Sequence, residues 1–249
     1  TWTAHVGDDR SLVVRLFDST GTPLTDEVAV DRKRGYVVSI DMNAHGDFAV
    51  LYRLVRESGG TTYYEDFKVQ RYDAAGNTEG RAITIADPQL INASADLSIN
   101  DSGEIVVLCD SYVYRFDASG RAVGSAIHLS AGSLDGELGM YNVEMDADGG
   151  FLVAGSYGEY DFDVTHFDTG VVQAFHADGT PRGPLNFFGT GSLYGTGICR
   201  GIRSAPMGDA GVLYVWGDLE TNYDYDVRAQ RFAWDGTPLD SESFLVNST

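Results

Sequence analysis

Val227-Arg228-Ala229-Gln230-Arg231-Phe232-Ala233-Trp234-Asp235-Gly236-Thr237-Pro238 reads as an alternating strand running into a tight Asp-Gly turn. The phrase is not unique. It returns as Phe17-Asp18-Ser19-Thr20-Gly21, Tyr72-Asp73-Ala74-Ala75-Gly76, Phe116-Asp117-Ala118-Ser119-Gly120 and Phe175-His176-Ala177-Asp178-Gly179. A recurrence of this period is the mark of a repeat architecture, and it decides the fold before any single residue does.

A second landmark falls between copies of the first: Asp41-Met42-Asn43-Ala44-His45-Gly46-Asp47-Phe48, Asn100-Asp101-Ser102-Gly103-Glu104-Ile105, Asp146-Ala147-Asp148-Gly149-Gly150-Phe151 and Met207-Gly208-Asp209-Ala210-Gly211-Val212. Each is a hairpin signal, because Asp or Asn can bond its own backbone two residues on while glycine takes the positive φ of the turn. Four short strands are expected per unit. In the third unit they are residues 95–99, 104–109, 112–117 and 125–129, and in the fifth 202–205, 212–216, 227–232 and 243–246.

Four-stranded antiparallel units repeated about an axis make propeller blades. The expectation is one all-β domain over residues 1–249, a five-bladed β-propeller-like repeat with units near 1–36, 37–92, 93–140, 141–198 and 199–249. Residues 1–6 align with a second strand, so the first blade is expected to lack one strand. A stacked solenoid also fits the repeats.

Composition narrows the function classes. The chain has 249 residues, is 43% hydrophobic, and carries 30 glycines and 14 tyrosines against 6 prolines, which suits short strands and tight turns. Its formal charge of −20 opposes nucleic-acid binding and anionic lipid, since both rest on Lys and Arg meeting phosphate. No apolar run is long enough to span a bilayer and no cleavable leader is visible, so a soluble protein, mature or cut from a longer chain, is expected. Cys109 and Cys199 are too few for a disulfide framework and leave one bridge or two buried thiols open.

Asp148-Gly149-Gly150-Phe151-Leu152-Val153 and Ala229-Gln230-Arg231-Phe232 resemble a repeat of large secreted or surface proteins of bacteria, in which a DGGFVV-like hairpin precedes an AQRFDxxGxPxG-like segment. The resemblance implies a propeller-like fold, an extracellular or cell-surface setting and adhesin-like company. It transfers no site. Val113-Tyr114-Arg115 and Val172-Gln173-Ala174 depart from the pattern.

If the regular turns are scaffold, function is expected on the opposite face, where the loops between second and third strands vary in length. They run over residues 7–10, 56–66, 110–111, 158–168 and 217–226. Tyr63, Tyr64, Tyr160, Asn222, Tyr223 and Tyr225 are the candidate ligand contacts, offering ring area and hydrogen bonds to a glycan or protein partner. Asp161 with Asp163, and Asp224 with Asp226, are candidate oxygen ligands for Ca²⁺, although no twelve-residue EF-hand loop is present. Solvated strand ends explain the same pattern without any ligand.

Catalysis is expected to be absent. Histidines 5, 45, 128, 166 and 176 are scattered, and neither a nucleophile elbow nor a phosphate loop occurs. The innermost strands carry few acids beyond Asp96 and Glu144. Asn92-Ala93-Ser94 and Asn247-Ser248-Thr249 match glycosylation sequons, which matter only in a eukaryotic source. The reading is therefore a non-catalytic binding or adhesion module, with a carbohydrate-binding lectin, a surface-layer or fibre subunit assembling through the open edge of blade one, and a glycosidase-like enzyme as the alternatives.

Overall fold

The computed structural model describes residues 2–3, 12–86, 94–130, 136–159, 167–189, 200–219 and 225–247. Among them every regular element is a strand, and the strands form five antiparallel sheets in chain order. The first holds β1 (Trp2–Thr3), β2 (Leu12–Val14) and β3 (Val28–Asp31). The second holds β4 (Gly35–Met42), β5 (Phe48–Ser58), β6 (Thr61–Tyr72) and β7 (Thr78–Ile85). β8 (Ala95–Ile99), β9 (Ile105–Cys109), β10 (Tyr112–Phe116) and β11 (Ile127–His128) form the third. The fourth is β12 (Gly136–Met145), β13 (Phe151–Glu159), β14 (Phe167–Phe175) and β15 (Asn186–Phe188). β16 (Arg200–Pro206), β17 (Val212–Leu219), β18 (Tyr225–Phe232) and β19 (Phe244–Leu245) complete the fifth.

The fold is the expected one: all-β, with five propeller-like blades of which the first has three strands. By packing, the chain divides into a unit of residues 1–105 with 116–122 and a unit of residues 106–115 with 123–249.

The repeat is visible in the ladders themselves. Each blade closes its last hairpin by pairing the landmark aromatic with the residue six further on: Phe17 with Pro23, Tyr72 with Thr78, Phe116 with Ala122, Phe175 with Pro181 and Phe232 with Pro238. The carboxylate of Asp18, Asp73 or Asp117 caps the turn between them by accepting the backbone N–H groups two and four residues on. Glycine at the end of each turn has φ between 81° and 86°, which a residue with a Cβ resists.

Two second strands, β5 and β9, hold stretches buried on both faces. Phe48 through Leu54 are buried without a break, as are Ile105 through Cys109, so neither stretch keeps a solvent side. In the first unit, Leu16 and Val14 pack on Phe48, Val50 and Tyr72. In the second, Val106, Leu108 and Val113 pack on Met140, Val143, Phe151 and Phe175, while Leu152, Ala154 and Val172 meet Tyr214, Trp216 and Phe232. Stacked rings sit in both units, Phe48 on Tyr72 at 4.7 Å and Phe151 on Phe175 at 4.9 Å, each adding about 1 kcal/mol beyond its burial.

The turn carboxylates make stability pH-dependent. The Thr20 hydroxyl and the Thr22 N–H hold Asp18 below the ordinary carboxylate range. The same is done for Asp73 by Asn77, for Asp117 by Ser119, for Asp178 by Thr180 and for Asp235 by Thr237. A carboxyl that ionises more easily when folded favours folding above its unfolded pKa and loses that contribution as pH falls through its folded value. The thermal midpoint is thus expected to hold from neutral pH to about 5 and to fall below about 4. A midpoint that rises on acidification would contradict this role for the turns.

Candidate functional site

The innermost strands of the first unit, β4 and β8, carry side chains that bond across them at a constant offset. Ser39 Oγ donates to Asp96 Oδ1 at 2.6 Å, and Ser98 Oγ donates to Asp41 Oδ2 at 3.0 Å, each pair 57 residues apart. The same offset continues in Asn43 Nδ2, which donates to the Asn100 carbonyl, and in the Ala44 N–H, which donates to Asp101. Two repeats thus lie in register, and each serine holds the carboxylate of the other strand.

A β-bulge sets up this arrangement. Pairing between β4 and β5 passes from Val37 opposite Tyr52 to Ser39 opposite Leu51, so Val38 is the extra residue. Bulges re-aim the side chains that follow them, here Ser39 and Asp41. β12 has the same device between Met140 and Asn142, ahead of Glu144. Inner strands that bulge at the same place in two blades share a geometry that simple alternation hides.

Asp41 is raised above the ordinary carboxylate range chiefly by burial, and the charge of Asp96 pushes the same way. Hydrogen bonds from the Ile99 and Met42 N–H groups and from Ser98 oppose that shift without cancelling it. A half-buried carboxyl raised by burial, next to a second carboxylate, is the arrangement from which acid and base roles are made.

Other expected site residues are spread out. Residues 56–66, read as an irregular loop, are a two-stranded ribbon: β5 and β6 pair out to Ser58 opposite Thr61, and Gly59 and Gly60 turn the chain at φ 61° and 80°. The physical reason is the β propensity of Thr61 to Tyr64 combined with two glycines that accept positive φ. Tyr63 and Tyr64 are exposed on this ribbon, with Arg56 4.9 Å from the Tyr63 ring centre and Arg53 5.1 Å from that of Tyr64. Tyr160, Asp161, Asp163, His166, Cys199, Asn222, Tyr223 and Asp224 lie outside the described residues. Tyr225 begins β18, and Asp226 Oδ1 accepts from Asn247 Nδ2 at 3.2 Å. Among the described residues no group of three or more His, Cys, Asp or Glu is placed to hold a metal ion. Cys109 is buried in β9.

No family model matches the chain, and no curated protein matches it. Solved structures do. The GH43 protein BlXynB of Bacillus licheniformis aligns with 98% of this chain at 11% identity and a TM-score of 0.42, and the chain spans 55% of its length. A GH43 endo-arabinanase of Bacillus licheniformis aligns with 78% of this chain and 72% of its own at 13% identity and a TM-score of 0.41. A mutant α-L-arabinanase of Cellvibrio cellulosa does so over the same shares at 12% identity and 0.39. The likeness transfers no residue.

The expectation of a non-catalytic extracellular binding or adhesion module is corrected here, and with it the expectation that the chain is not an enzyme. The aligned structures include an endo-arabinanase and an α-L-arabinanase. The premise also fails on its own ground: inner strands supposed poor in acids hold Asp41 and Asp96, each bonded by a serine of the other strand, because β4 runs on to Met42 and includes Asp41. Read in sequence, Asp41 opened a hairpin turn. The available signal was the repeat itself, since Ser39 and Asp41 stand 57 residues before Asp96 and Ser98 with the residue types exchanged.

Proposed function

We propose that this chain is a glycosidase-like hydrolase in which Asp41 is the acid and Asp96 the base. The observation that carries the reading is the reciprocal serine–carboxylate pair on β4 and β8, with Asp41 raised and Asp96 adding to that shift. Hydrolysis of an acetal needs a proton delivered to the leaving oxygen while the anomeric carbon is attacked. Asp41 gives its proton to the glycosidic oxygen as the C–O bond breaks, and Asp96 takes one from the water that bonds to the anomeric carbon. Ser39 and Ser98 orient the two groups. They also limit each carboxylate to one rotamer, so that little orientation is left to be found in the transition state.

Net charge selects among glycans. A protein at −20 repels uronic and sulfated polymers, so a neutral glycan is the substrate class. A secreted or cell-surface setting accords with such a substrate. The test is release of reducing ends from a panel of neutral polysaccharides, arabinan among them, beside anionic ones such as pectate. Turnover confined to a neutral polymer is expected. Failure to cleave any of them, with the fold intact by circular dichroism, ends this reading.

A further inference from the structure

Two bulges bring tyrosine rings onto the sheet face that carries the carboxylates. On β4, Tyr36 pairs with Arg53, Ser39 with Leu51 and Asp41 with Ala49. Residues directly opposite share a face, and Ala49, Leu51 and Arg53 alternate along β5, so Tyr36, Ser39 and Asp41 line one face of β4. Tyr36 and Ser39 are three residues apart and would point to opposite sides of a regular strand. The extra residue Val38 aligns them.

β6 repeats the device. Its pairing with β5 passes from Phe67 opposite Arg53 to Tyr64 opposite Val55, so Glu65 and Asp66 together face Leu54. Phe67 and Tyr64, again three apart, both come to the Arg53 side. Arg53 is 4% exposed and donates its Nε–H to the Glu65 carbonyl at 2.6 Å. Its guanidinium lies 4.5 Å from the Phe67 ring centre and 5.1 Å from that of Tyr64. One face of the Tyr64 ring is thus backed by a buried cation.

Tyr36 meets Tyr64 with ring centres 6.3 Å apart and planes at 81°, which makes a corner of the two rings. The corner is open, Tyr36 being 38% exposed and Tyr64 44%. A solvated strand end has no need of a ring held from behind by a buried guanidinium. Rings fixed in this way lose little freedom when a ligand lies against them.

We infer that the corner of Tyr36 and Tyr64 is a sugar-binding subsite for a neutral glycan whose scissile bond lies at Asp41 and Asp96. The position of that bond rests on the hydrolase reading, whereas binding rests on the rings. Tyr36 stands at most about 10 Å along β4 from Ser39, which is bonded to Asp96, so a short oligosaccharide reaches both. The C–H face of a sugar packs on a tyrosine ring, and its hydroxyls bond the phenol. The net charge of −20 disfavours acidic sugars. Tyr63 supplies a built-in contrast. It pairs with Arg56, which places it on the other face of the ribbon, yet it is 46% exposed and likewise sits beside a guanidinium.

Native gels carrying soluble arabinan, xylan or galactomannan, run with Asp41→Asn chains so that nothing is cleaved, test the subsite. Retardation by at least one of these polymers, and not by pectate, is expected. Adding Tyr36→Ala or Tyr64→Ala should weaken it about tenfold, as loss of a well-packed ring does. Tyr36→Leu and Tyr64→Leu keep apolar bulk without a flat face and should bind as weakly. Tyr36→Phe and Tyr64→Phe should keep most of the retardation, and Tyr63→Ala all of it. Since the gels need no turnover, a parent chain that is retarded through these rings but cleaves no glycan faults the hydrolase reading and leaves the subsite standing. Retardation by none of the neutral polymers, stronger retardation by pectate, indifference to the alanine and leucine variants, or an equal loss in Tyr63→Ala overturns the inference.

Discussion

Asp41→Asn is expected to lower kcat on the responsive glycan by about a hundred- to ten-thousand-fold, the range associated with a positioned general acid or base. Asparagine keeps the shape and can still accept a hydrogen bond from the Met42 N–H, but it has no proton to give to a leaving oxygen. Asp96→Asn should match the loss, because the amide cannot take a proton from water. KM should move little in either, since neither group is asked to hold the ground state. Ser98→Ala is the useful contrast. It removes one donor to Asp41 while the Ile99 and Met42 N–H groups remain, so a partial loss with a shifted pH profile is expected. With one hydrogen bond to its charged form gone, Asp41 rises further, and the alkaline limb of the rate moves to higher pH. Asn variants that retain parental kcat would show that the pair only ties two strands together.

The fold was legible because its signals are local. Gly21, Gly76, Gly120, Gly179 and Gly236 need positive φ, and the aromatic before each turn needs a neighbour to cover it, so the repeat is written in residue types at fixed spacing. Strand positions in the third and fifth blades followed from the same grammar to within a few residues. Where the reading failed, two strong local preferences met. Residues 56–66 carry the glycines and charges of a loop, yet pairing across β5 and β6 satisfies the backbone there and the turn shrinks to Gly59-Gly60.

The candidate site was less legible for a different reason. Asp41 sits where a hairpin signal and an inner strand overlap, and the hairpin signal is the louder. Asp96 was visible as an acid on an inner strand, but its weight comes from Ser39 and Asp41, which only the register of β4 beside β8 supplies. A bulge at Val38 shifts that register by one residue, and a one-residue shift turns each side chain to the other face. No linear motif records such an event. Sites of this kind are found by aligning repeats to one another and asking where serine and aspartate exchange places.

Gly211→Ala should be the most damaging glycine substitution among the hairpin turns, at about 3 kcal/mol. The fifth blade departs from the others at this hairpin. Asn43, Asn100 and Asp146 cap their turns through a side-chain oxygen, whereas Met207 has none to offer. The chain instead relies on backbone freedom at Gly208 and Gly211, with φ of 60° and 126°, and closes by donating the Met207 N–H to the Gly211 carbonyl at 2.7 Å. A Cβ at Gly211 meets two objections. The positive φ costs about 1–2 kcal/mol for a residue with a side chain. The added carbon also falls inside contact distance of the Phe232 carbonyl oxygen, held by the β17–β18 ladder, and 2.8 Å from the Ala233 Cα, held by its N–H donated to the Thr237 carbonyl, and forced overpacking of this sort costs about 1–3 kcal/mol. Gly21→Ala isolates the first term. Its φ is 82°, but no described residue lies within 4 Å of the new carbon, so a loss of only about 1 kcal/mol is expected. Urea unfolding of both variants at low protein concentration, with slopes matched to the parent, measures the difference. Equal losses would mean that the hairpin moves aside to admit the methyl group, and that the Phe232 carbonyl is held less firmly than its ladder suggests.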